Sequence, residues 1–111
     1  MEEGDRVRIV ASGLIWGGDF FITGANGPNG VAQIAPADWP LEGAPKFALL
    51  VAVATPAAVL FLTPVFAGSF FDGTIGRPGP LRGGRLVLLI NDDVPGGGSG
   101  FFLATISVFR R

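Results

Sequence analysis

The chain has 111 residues, 49% of them apolar with ten Phe and two Trp, and a net charge of −1. That is the size of one domain able to bury a two-layer core without disulfides or metals, and the apolar content excludes a disordered chain. Cys and His are both absent, which removes disulfides, Ser-His and Cys-His nucleophile pairs and the usual zinc ligand sets. No basic run is long enough to neutralise a nucleic-acid backbone, so nucleic acid is not an expected partner. Eighteen Gly and nine Pro interrupt helices and favour short segments joined by turns.

The chain opens Met1-Glu2-Glu3, acidic where a cleavable signal peptide is basic and then apolar, so no such signal is read here and the location stays open. Residues 5–12 alternate charged and apolar side chains through Arg6-Val7-Arg8-Ile9-Val10, the two-residue period of a half-buried strand with Val7 and Ile9 inward. Gly13, Gly17 and Gly18 interrupt that pattern, and Asn26-Gly27-Pro28-Asn29-Gly30 is a concentrated turn signal. Residues 13–45 therefore read mainly as loop, with a short strand at Phe20-Phe21-Ile22 and with Trp16 and Trp39 anchoring loops on the core.

Residues 47–66 carry no charge. A run of about 20 apolar residues is long enough for one membrane-spanning helix, and this is an alternative. Thr55-Pro56 and Thr63-Pro64 argue against it, since they divide the run into strand-length pieces at 47–54 and 57–62. Residues 68–84 hold Phe70-Phe71, repeated Gly, and Arg77 and Arg82, and read as a loop or irregular edge. Strand character returns at 85–90 and 101–109, across the loop Asn91-Asp92-Asp93-Val94-Pro95-Gly96-Gly97-Gly98-Ser99-Gly100. In the last strand Leu103, Thr105 and Ser107 share one face and Phe102, Ala104, Ile106 and Val108 the other, which closes the core. The expected fold is a single all-β domain over residues 1–111, a small two-sheet antiparallel sandwich of jelly-roll type. The carboxylates are scattered and no pair flanks a polar pocket, so no catalytic residue is assigned and no enzyme activity is expected.

Several motifs together resemble the calcium-dependent galactophilic lectins of bacteria, the LecA-like family. They are Gly4-Asp5-Arg6-Val7, Ala11-Ser12-Gly13 with Trp16-Gly17, Gly27-Pro28-Asn29-Gly30, Ala48-Leu49-Leu50, and above all Ile90-Asn91-Asp92-Asp93-Val94-Pro95-Gly96 followed by Ser99-Gly100-Phe101-Phe102. The resemblance implies a galactose-binding-like sandwich, an extracellular role and a carbohydrate partner. It also implies a calcium site, with Asp93 as the loop aspartate, Asp92 as an added carboxylate and the Trp16 carbonyl as a further ligand. Gly97 and Gly98 stand where the family has two asparagine ligands. Calcium takes six to eight oxygens, so binding is expected to be weak or lost, and no other cofactor is expected. The family's sugar-binding His-Pro-Asp-Gln loop is replaced by Ile34-Ala35-Pro36-Ala37, leaving Asp38 and Trp39 as the candidate sugar contacts.

Relative to that family, the chain reaches its Gly-Asp strand without the segment that precedes it there. The expectation is a sandwich short of one strand, with the first strand, residues 5–12, as an exposed edge that a second copy or a strand partner completes. Two functions therefore follow from the sequence. The first is a non-catalytic module that self-associates or completes its sheet with a partner, and the alternative is a lectin-like carbohydrate-binding module.

Overall fold

A computed structural model describes residues 4–16, 25–54, 64–76, 84–92 and 99–110. Seven strands follow one another along these residues: β1 (Arg6–Trp16), β2 (Ala25–Asn26), β3 (Leu49–Ala54), β4 (Val65–Phe66), β5 (Phe70–Thr74), β6 (Arg85–Ile90) and β7 (Ser99–Phe109). No helix occurs among the described residues. The strands form two antiparallel sheets, a first sheet of β1, β2, β5 and β7 and a second of β4, β3 and β6. The chain is thus the all-β two-sheet sandwich that its alternation and turn chemistry predict.

Alternation explains the core. Val7, Ile9 and Ala11 take the inward positions of β1, and they pack with Leu49 and Val51 of β3 and with Ala67 and Ile75. Val53, Val65, Phe71, Leu86, Leu88, Phe102 and Ala104 close around this cluster. Fully burying one such Val, Leu or Ile contributes about 1.5–3 kcal/mol, so the inward face of β1 is a main source of stability.

β1 lies in the middle of its sheet, which corrects the expectation that the first strand is an exposed edge. On one side all of β1 pairs with β7, from Arg6 opposite Phe109 to Trp16 opposite Ser99. On the other side Arg6 to Val10 pair with β5, and Ile15 and Trp16 pair with β2. Being first in the chain did not leave the strand outermost, because β5 and β7, arriving much later, took its two sides.

Two further expectations change, and the helical alternative is overturned. Residues 68–84 are not simply loop, since β5 forms within them and sets Phe71 against Ile9. Residues 13–45 are less of a loop than expected, because β1 runs through Gly13 to Trp16 and β2 forms at Ala25 and Asn26. Gly13 does not end the strand. It has φ +106°, and a Cβ there would sit 2.6 Å from the Phe101 carbonyl oxygen. Gly100, with φ +87°, approaches the Leu14 carbonyl oxygen in the same way, at 2.5 Å. The two glycines let β1 and β7 come together where any side chain would collide with backbone. The alternative of a continuous helix over 47–66 does not hold, as Leu49–Ala54, within the expected strand piece 47–54, is the central strand of the second sheet. The expected strands at 20–22 and 57–62 lie outside the described residues.

The loops at one end are fixed by buried amides. Asn91, fully buried, donates from Nδ2 to the carbonyls of Leu41 (3.1 Å) and Pro45 (3.0 Å) and accepts the Leu41 N–H on Oδ1 at 3.0 Å. Its backbone accepts from the Phe47 N–H at 2.7 Å and donates to Ala48 at 2.9 Å. Asn26 donates to the Phe47 carbonyl at 3.1 Å. Between these two amides Phe47 is held at φ +63°, a conformation that costs a non-glycine residue of order 1–3 kcal/mol and persists only when its surroundings impose it.

Candidate functional site

The outward face of the first sheet begins charged and becomes apolar. Along β1 the outward positions are Arg6, Arg8, Val10, Ser12 and Leu14, the alternates of the buried Val7, Ile9, Ala11 and Ile15. Register extends each position sideways. Val10 faces Phe70 and Thr105, Ser12 faces Leu103, and Leu14 faces Phe101. Facing residues of antiparallel strands share a side of the sheet, so Val10, Leu14, Phe70, Phe101 and Leu103 form one apolar surface. Phe101 is 73% exposed and Leu103 65%.

All the exposed large apolar side chains among the described residues except Ile34 and Phe66 lie on β1, β5 and β7. Phe70, Phe101 and Phe109 alone leave on the order of 300 Å² of ring uncovered. With the neighbouring Val and Leu, the surface reaches the size at which an apolar patch marks an interaction site.

The other end of this face is electrostatically closed. Arg6 binds Asp72 through two hydrogen bonds, Nε at 2.8 Å and Nη2 at 2.5 Å, and Arg8 stands 3.6 Å from the same carboxylate. The Arg6 hydrogen bonds hold the Asp72 carboxyl below its ordinary value, with partial desolvation opposing them and the charges of Arg6 and Arg8 adding to them. The same hydrogen bond, then the Asp72 charge, raises Arg6. The Arg8 guanidinium also lies over the Phe109 ring, 5.5 Å from its centroid. Beside this group Arg110 meets the buried Asp5 carboxylate at 2.7 Å. The charges at this end are spent on one another.

β7 is the outermost strand on its side, with no strand partner beyond it among the described residues. Its inward face is only partly covered: Phe102, Ala104 and Val108 are half-buried, and Ile106 is 42% exposed. Among the described residues β7 is therefore partly uncovered on both faces and unpaired along one edge.

Of the residues singled out in the sequence, Trp39 and Asp92 border one contact, since Trp39 packs on Phe47 and the Phe47 N–H bonds to Asn91, the residue before Asp92. Asp38 is exposed in the loop before β3, and Trp39 beside it is half-buried. The Trp39 ring meets Phe47 edge-on at 5.5 Å, and Lys46 Nζ lies 5.0 Å from its centroid. Trp16 ends β1, with its backbone between Ser99 and Ala25. Asp92 is half-buried just after β6, its N–H donating to Ile90 O at 2.9 Å. Asp93 lies outside the described residues. Among the described residues no group of three Asp or Glu is arranged to hold a metal ion. From the lectin-like loop motif, Asn91 is the residue whose role is visible, and that role is to fix the 41–48 loop.

What sequence reasoning missed is the apolar face. Its signal was present, since the outward positions of β1 change from Arg6 and Arg8 to Val10 and Leu14, with Ser12 between them. The chain matches no protein-family model and no curated protein.

Proposed function

We propose that the protein is a non-catalytic β-sandwich module whose role is assembly, using the outward face of the first sheet and the adjoining strand β7 as its contact surface. The observation that carries this is the continuous exposure of Val10, Leu14, Phe70, Phe101 and Leu103 on one sheet face. Covering them removes apolar area from water at about 25 cal/mol per Å². Only part of that gain survives the entropy cost of association. Sedimentation or light scattering at tens of micromolar is the test. The expected result is a species heavier than one chain, and a monodisperse monomer would refute the reading.

A second reading, a lectin-like carbohydrate-binding module, is supported by the two-sheet antiparallel sandwich, which is the architecture its sequence motifs imply. In that reading Asp38 and Trp39 contact sugar, and Asp92, Asp93 and the Trp16 carbonyl contribute to a calcium shell. Calorimetry with calcium, then with galactose, separates the two. Heat that disappears in Asp93→Ala favours the lectin.

A further inference from the structure

We infer that the edge of β7 that no described strand pairs is where a second copy of this chain adds, β7 antiparallel to β7, in a closed two-fold dimer that joins the two four-stranded sheets into one. The inference rests on the assembly reading and names its partner and its geometry. Three observations carry it.

The first is the edge itself. β7 pairs with β1 over eleven residues, Ser99 to Phe109, and has no described strand on its other side. An edge of that length exposes a row of backbone donors and acceptors, which proteins ordinarily blunt with a charge, a proline or a short strand. Ser99–Phe109 has no charged residue and no proline, and it is among the two longest strands described.

The second is length. A head-to-tail arrangement would set β7 against another exposed edge of the neighbouring copy. Those among the described residues are the sides of β5 (five residues), β2 (two), β6 (six) and β4 (two). Each leaves much of β7 unmatched. Another β7 is the one described edge of equal length, and pairing like with like about a two-fold axis closes the assembly.

The third is side-chain complementarity. With the axis at Thr105, Phe101 meets Phe109 and Leu103 meets Ser107 on the outward side. On the inward side Phe102 meets Val108 and Ala104 meets Ile106. Every inward pair is apolar, and these are the side chains that the second sheet leaves partly uncovered. No charged residue faces another between 101 and 109, so nothing in this register opposes self-pairing. The two outward apolar surfaces become neighbours on the joined sheet.

The test compares charge at the edge with charge outside the first sheet. Leu103→Lys/Thr105→Lys sets the lysine at 105 against its own copy and the lysine at 103 diagonal to it, at positions exposed in the single chain. Ile34→Lys/Phe66→Lys carries the same charge at exposed apolar positions outside the first sheet. Light scattering of the intact chain at tens of micromolar is expected to give a dimer for the wild type and for the Ile34/Phe66 variant. The edge variant should be a monomer, with dimer dissociation at least tenfold easier, and circular dichroism should show all three folded. Because the chain contains no cysteine, Thr105→Cys should be joined to its partner by a short bifunctional thiol reagent, while Ser12→Cys, on β1, should not. If the dimer survives the edge lysines, or if Ser12→Cys is joined and Thr105→Cys is not, the edge inference fails and self-association stands. If the wild type is monomeric, both fail.

Discussion

The outward positions on the central strands of the two sheets, β1 and β3, have opposite fates although both include apolar side chains. In the second sheet Leu50 and Ala52 alternate with the core residues Leu49 and Val51 and so point away from the first sheet, yet both are 0% exposed. In the first sheet Val10 and Leu14 alternate with Ile9, Ala11 and Ile15 and are 51% and 54% exposed. Apolar character on both sides of a strand therefore does not by itself mark a contact surface. Coverage does: Leu50 and Ala52 are covered, although Phe66 opposite Leu50 is 42% exposed, whereas Val10 and Leu14 on the central strand of the first sheet are not.

The strongest way to break that comparison is a matched pair of truncations. Leu50→Ala should cost about 2–5 kcal/mol, the range for emptying a packed leucine site. Leu103→Ala, measured in urea at a protein concentration low enough to suppress association, should change stability by less than about 0.5 kcal/mol. Equal losses at the two sites would mean that Leu103 is buried within one copy.

Asn91→Ala removes an amide that satisfies both polar groups of Leu41 and the carbonyl of Pro45. Leaving buried partners unmade costs about 1–3 kcal/mol, and proteolysis should move to the 41–48 loop before any change is seen in β7. Gly13→Ala should lose about 1–3 kcal/mol by forcing a strained backbone at φ +106°. Its steric contact is with the Phe101 carbonyl on β7, so the same change should loosen the β1–β7 ladder and weaken association.

The smallest effect belongs to the exposed Arg6–Asp72 pair. The folded-state pKa of Asp72 is depressed, so its contribution is complete above the ordinary carboxylate range and lost as pH falls through the lower folded value. The melting-temperature difference between wild type and Asp72→Asn should be small near neutrality and vanish in acid. A difference that grows as pH falls would contradict the assignment.

Much of the fold was legible because its strands obey period two. Arg6-Val7-Arg8-Ile9 announced β1, residues 85–90 coincide with β6, and the faces of β7 divide as alternation predicts, with Phe102 and Ala104 reaching the core cluster. Where the reading failed, local signals met long-range pairing. Gly13 reads as a break, but the strand passes through it because β7 approaches there too closely for a Cβ. Phe70-Phe71-Asp72-Gly73-Thr74 reads as irregular, and it is a strand because β1 and the Arg6–Asp72 pair give it a partner. The position of β1 could not be read from its place in the chain, since sheet order follows the arrivals of β5 and β7. The apolar face was not read as a site, because the search was for polar ligand chemistry at Asp38, Trp39, Asp92 and Asp93, while the prominent surface feature among the described residues is apolar.

Amide hydrogen exchange along β7, followed as a function of protein concentration, tests the central claim most directly. In a strand paired on one side only, alternate amides bond to β1 and the others point to solvent. At high dilution the account predicts alternating protection from Phe101 to Phe109. At tens of micromolar the unprotected set should slow as well, while the exchange of β3, already buried in the second sheet, stays the same. Alternation that persists unchanged at every concentration would contradict the claim that β7 is an interface.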